Sequence, residues 1–125
     1  MLNNDDFSRW LGLDLIAVED GFCQLSCVIR DEMLNGHRIA HGGISYSLSD
    51  SALAFAANSR GKKCVSIETS IYHLHPVQTG DQLIVTTTEI QRGKTLGVYN
   101  VSIINQDSIL VSSFKGTVHI SENAW

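Results

Sequence analysis

Residues 42–59 constrain this chain more than any other stretch. Ile44, Leu48, Ala52, Leu53, Ala54, Phe55, Ala56 and Ala57 leave the segment apolar on nearly every side. A helix of that kind has no face to offer water and is normally buried. Gly42-Gly43 opens it, and Arg60-Gly61 supplies an end signal. The rest of the chain must therefore wrap around this helix.

What remains reads mostly as strands. Residues 13–18 and 22–29 flank an Asp20-Gly21 turn, and residues 64–74, 82–91, 95–104 and 108–120 follow the helix. The turns between the last three are Arg92-Gly93-Lys94 and Asn105-Gln106-Asp107. Residues 6–11 suggest a short amphipathic helix with Phe7, Trp10 and Leu11 on its apolar side, and residues 31–41 an irregular link. The spacing suits antiparallel hairpins, so the expectation is an α+β domain: one or two strands, a buried helix, then a four-strand meander curved around it. Such a sheet leaves edge strands that need cover, and edge-to-edge pairing of two copies supplies it.

The 125 residues fit one domain spanning 1–125, with no repeat or linker and a single proline, Pro76. The net charge of −4 argues against sequence-independent nucleic-acid binding. No apolar run approaches the roughly 18 residues of a membrane span. Residues 1–6 are polar and acidic, unlike a secretory leader. Three cysteines without framework spacing, Cys23, Cys27 and Cys64, point to reduced thiols and a cytoplasmic protein.

The chemistry concentrates in Asn35-Gly36-His37-Arg38-Ile39-Ala40-His41-Gly42-Gly43 and in Asp50. Helix N-terminal N–H groups are unpaired and carry partial positive charge, so they can hold a carbonyl oxygen that becomes an oxyanion. Gly42 and Gly43 let such a group approach the backbone, although they also make a flexible helix entry. Asp50 is a carboxylate in an apolar helix. Either it joins Ser47 and Ser51 in a thin stripe facing water, or it is a general base or nucleophile beside a bound electrophile. The two features are eight residues apart, which is about 12 Å along one helix. A single carbonyl cannot meet both. Two antiparallel helices related by a twofold axis bring Asp50 of one to Gly42 of the other.

His37 and His41, or His73 and His75, have the look of metal ligands, but H-x-x-x-H here lacks a Glu after the first His, and no metal is expected. Asn35-Gly36 is a turn signal in its own right.

These segments together resemble the hot-dog-fold acyl-CoA thioesterases of the phenylacetate-degradation (PaaI) type. The likeness covers residues 7–119. It rests on Met33-Leu34-Asn35-Gly36-His37, His41-Gly42-Gly43, Ser47-Leu48-Ser49-Asp50, Ala56-Ala57-Asn58-Ser59, Leu74-His75-Pro76 and Gly93-Lys94-Thr95-Leu96-Gly97-Val98-Tyr99.

The resemblance implies a hot-dog domain and water attack on an acyl-CoA thioester, with no cofactor. It implies Gly42 N–H as oxyanion donor and Asp50 of a partner subunit as base or nucleophile. Asn35 would position water or substrate, and His41 would orient the loop. Gly43, Ser51 and Ser66 would line the substrate. Arg92, Gly93 and Lys94 are candidates for the coenzyme A phosphates. The implied assembly is a homodimer, paired into a homotetramer. The rival readings are a hot-dog hydratase or dehydratase and a non-catalytic acyl-CoA-binding module.

Overall fold

The computed structural model describes residues 5–124, so the sequence reading of residues 1–4 lies outside the described residues. The order is α1 (Asp6–Leu11), β1 (Asp14–Glu19), β2 (Phe22–Val28), a 3-10 turn (Asp31–Met33), α2 (Gly42–Asn58), β3 (Lys62–His73), β4 (Gln82–Arg92), β5 (Leu96–Ile104) and β6 (Leu110–Ala124). All six strands form one antiparallel sheet in the order β1-β2-β4-β5-β6-β3. The sheet curves around α2, which touches every strand. The α+β hot-dog architecture is the one expected.

The alternation of side chains explains the wrap. On β5, Val101 and Ile103 are buried while their neighbours point outward, and on β2 Cys23, Leu25 and Cys27 do the same. They close on Leu48, Ala52, Leu53 and Ala56 of α2, all essentially inaccessible. Gly116 on β6 admits the helix: a Cβ there would come within 2.6 Å of Leu53 Cδ2.

Three expectations change. The strands after α2 are not a four-strand meander. Only β4, β5 and β6 are consecutive neighbours; β3 pairs with β6 at the sheet edge, and β4 slots beside β2. The chain between β3 and β4 therefore crosses the N-terminal end of α2, anchored where Ala40 N–H donates to the Val77 carbonyl at 2.7 Å and Gly80 N–H to that of Ile29 at 2.8 Å. Strand β6 starts later than expected because the Asn105 side chain holds the turn, accepting from Asp107 N–H and Ile109 N–H, with Ser108 at φ 61°. Of the three apolar residues expected to pack from α1, only Leu11 is buried; Phe7 and Trp10 stack on each other outside, with the Arg30 guanidinium over the Trp10 ring.

Candidate active site

The entry to α2 is built by backbone ties. Leu34 and Ala40 form an isolated bridge, closed by Asn35 N–H to the Ile39 carbonyl at 2.8 Å. Asn35 Oδ1 accepts from His37 N–H at 2.9 Å, holding the reversal. That contact uses the carbonyl half of the amide and leaves the NH2 group as a donor. His41 N–H then donates to the Met33 carbonyl at 2.8 Å, which fixes where the helix begins.

His41 is the N-cap. Its Nδ1 accepts from Gly43 N–H at 2.8 Å, so in the neutral ring the proton sits on Nε2. The cap takes the Gly43 donor and leaves Gly42 N–H without a hydrogen bond among the described residues. Gly42 also lies against the ring of His73, where a Cβ would meet Cε1 and Nε2 at 3.2 Å. A cavity of about 300 Å³ opens here, lined by Asn35, Gly42, Ser45, His73, His75 and Val77 among others.

Asp50 lies two turns further along α2, half-buried. Burial alone pushes its carboxyl above the ordinary carboxylate range; neither a hydrogen bond nor an ion pair offsets it among the described residues. A charge so placed lacks the partner that burial normally requires. Asp50 lines a second cavity, of about 240 Å³, with Leu53, Ala54, Ala57, Cys64 and Ser66. The candidate residues of one chain thus fall into two separate cavities: Asn35 and Gly42 in the first, Asp50 and Ser66 in the second.

Ser51 stands apart from both, directed to α1, with its Oγ 3.4 Å from that of Ser8. Gly43 is spent on the cap. Gly93 closes the β4–β5 turn by donating its N–H to the Leu96 carbonyl at 2.8 Å, and Lys94 beside it is exposed. Arg92 ends β4 and turns inward: Nη1 donates to the Ala57 carbonyl and to Tyr99 Oη, both at 2.9 Å. Tyr99 in turn donates to Glu89 Oε1 at 2.8 Å, and Glu89 is paired with Arg60. Burial first, then the Glu89 contact, pushes the Tyr99 phenol up to about 12, so it remains a neutral donor.

Two lining residues, His73 and Ser45, were not singled out for this role from sequence. His73 has no local signal, because its contact with Gly42 exists only once β3 is folded against α2. Among the described residues, no three His, Cys, Asp or Glu side chains gather as a metal site.

Comparison with known proteins fits this geometry. Residues 37–112 match the thioesterase superfamily. Acyl-coenzyme A thioesterase PaaI of Escherichia coli (strain K12) is 39% identical over 119 residues, covering 95% of this chain and 85% of that protein. The solved structure of the E. coli PaaI protein from the phenylacetic acid degradation operon aligns with a TM-score of 0.97 at 37% identity, over 99% of this chain and 90% of that one. The smu.793 protein of Streptococcus mutans UA159, solved bound to acetyl CoA, aligns at 0.88 with 26% identity, over 90% of this chain and 91% of its own. The chain belongs to the thioesterase superfamily, as a hot-dog-fold acyl-CoA thioesterase of the PaaI type.

Proposed function

We propose that the protein hydrolyses acyl-coenzyme A thioesters at composite sites, each made of Asn35 and Gly42 from one chain and Asp50 from its partner. The observation that carries this reading is the separation of the two half-sites on one helix, about 12 Å at α2's rise per residue. The free side of β3 supports it. This edge strand has no neighbour beyond β6 among the described residues, and it exposes Val65, Ile67 and Tyr72. Pairing with a second copy covers the edge and lays one half-site over the other.

In the composite site the thioester carbonyl accepts from Gly42 N–H, at the positive end of α2. The His41 cap keeps that donor free. The NH2 group of Asn35 holds the attacking water or the carbonyl. The partner's Asp50, raised in basicity by burial, takes a proton as water adds to the carbonyl carbon. Alternatively its carboxylate adds directly, and water cleaves the resulting anhydride. In either route the carbon–sulfur bond breaks, and coenzyme A leaves as the thiol. Ser66, beside Asp50, assists the water. Gly43 and Ser51 shape the substrate channel indirectly, through the cap and the α1 packing.

The coenzyme A phosphates fall to Lys94 and the Gly93 turn, where a cation is exposed; the Arg92 guanidinium already donates to the Ala57 carbonyl, Tyr99 Oη and Cys64 Sγ. Aryl-acetyl groups are the preferred acyl class, in keeping with the operon of the E. coli relative. Residues 1–125 act as one domain. Two dimers assemble into a homotetramer, and the free thiols of Cys23, Cys27 and Cys64 suit the cytoplasm.

The test is release of free thiol from a panel of aryl-acetyl and aliphatic acyl-CoAs. Turnover of at least one class, lost in Asp50→Ala, is the expected result. Binding without thiol release would leave a non-catalytic acyl-CoA module, and hydration of an enoyl substrate would make the protein a hydratase.

A further inference from the structure

We infer that the hydrogen bond between Tyr46 and Thr69 lies beside the twofold axis of the dimer and sets the register of the two half-sites. This rests on the composite-site reading above. In an antiparallel pair related by a twofold axis, residues equidistant from the axis face each other, and only a residue near the axis faces its own copy.

Two independent parts of the fold locate that axis. On α2, Gly42 must meet Asp50 of the partner subunit, and midway between them lies Tyr46, one turn from each. On β3, the Gly42 cavity contains His73 and the Asp50 cavity contains Ser66. Cys64 and Val65 line the Asp50 cavity too, so superposing one cavity on the other across a β3–β3 seam puts the midpoint within one residue of Thr69. The midpoint of the helix and the midpoint of the strand touch: Tyr46 Oη and Thr69 Oγ1 are 2.7 Å apart.

The pair is held firmly from within and left open on the outside. The Tyr46 ring sits edge-on to Phe114, with centroids 5.6 Å apart, yet Tyr46 remains 37% exposed. A bond at this point ties α2, which carries donor and base, to β3, the seam strand. A shift of α2 against β3 would move Gly42 of one chain and Asp50 of the other in opposite directions, doubling the error at each site. Tyr46 and Thr69 are therefore positioning residues. They act through the α2–β3 register and touch no reacting atom.

Cross-linking and kinetics test the two halves of this inference. In a Cys64→Ser background, Tyr46→Cys or Thr69→Cys should give a covalent dimer with a short bifunctional maleimide, while Asp107→Cys at the remote β5–β6 turn should not. Tyr46→Phe removes only the hydroxyl. It should lower kcat about tenfold, the scale of a small misplacement of reacting groups, and leave KM within about twofold. The dimer should persist by light scattering, and Tyr46→Phe/Thr69→Val should lose no more than either single variant. If Asn35→Ala and Asp50→Ala subunits restore each other's activity but neither axial cysteine cross-links, the axis lies elsewhere and this inference falls while the composite site stands. An unchanged kcat in Tyr46→Phe overturns the positioning role. Absence of complementation after verified subunit exchange removes the composite site itself.

Discussion

At the scale of single residues, Asp50 shows how burial becomes chemistry. Its carboxyl is raised because the side chain is half-buried with nothing to compensate it. The folded state therefore holds the Asp50 proton more tightly than the unfolded chain does. The resulting contribution to stability is present at low pH and is lost as pH rises through the folded pKa. Above that pKa the bare carboxylate destabilises the fold. Asp50→Asn should accordingly melt above the wild type at about pH 7, and the gap should close as pH falls below the ordinary carboxylate range. The same substitution should lower kcat by about 10²–10⁴-fold, the usual worth of a positioned base. Wild-type kcat/KM should rise with pH through the elevated Asp50 pKa. Thermal melts across pH and a pH–rate profile check both; a variant less stable at neutral pH would mean that the carboxylate has a stabilising partner. Asp50 was legible in sequence because a lone acid in an apolar helix is an anomaly at any fold. His73 was not, because a histidine on an exposed strand has many uses and its contact with Gly42 is tertiary.

At the scale of elements, the C-terminal end of α2 depends on a side chain from a distant strand. Arg92 satisfies the Ala57 carbonyl, one of the helix's last acceptors, and links it through Tyr99 and Glu89 to Arg60. Arg92→Ala should cost about 1–3 kcal/mol, as for buried partners left unpaired, with a visible drop in Tm and little change in KM. Lys94→Ala should do the reverse: raise KM for acyl-CoA, leave kcat near wild type and leave Tm unmoved, as expected for loss of binding made equally in ground and transition states. Melting curves and initial rates separate the two cases; equal rises in KM would return Arg92 to the phosphate site. The sequence placed Arg92, Gly93 and Lys94 together in a turn. It could not say that Arg92 closes β4 and faces inward, because strand ends are set by their pairing. Here the pairing is Arg92 with Gly97 on β5.

At the scale of the whole molecule, the proposed dimer would join the four incomplete cavities of two chains into two composite sites. Asn35→Ala and Asp50→Ala homodimers each carry a lesion in both sites. A hybrid dimer concentrates both lesions in one site and leaves the other intact. Mixing the two inactive proteins should therefore restore up to about half the wild-type activity per hybrid, by the symmetry of the twofold interface. Thiol-release rates after verified subunit exchange measure this. A site contained within one chain would leave every hybrid site with one lesion and recover nothing.

The sequence by itself determined the buried helix, the strands that follow it and the spacing of Gly42 from Asp50. Each of these follows from local periodicity and from the fixed rise of an α-helix. It also determined that Gly42 and Asp50 of one chain lie about 12 Å apart along the helix, the distance on which the proposed composite site rests. The strand order was decided only by the tertiary structure, because antiparallel pairing is a long-range choice that hairpin spacing does not encode. Placing β3 at the edge, bonded to β6 rather than β4, sends residues 74–81 past the N-terminus of α2. That crossing sets His75 and Val77 around Gly42, beside His73 at the end of β3, and leaves β3 with β6 as its one strand neighbour among the described residues. Both the cavity at the helix entry and the edge position of β3 follow from it.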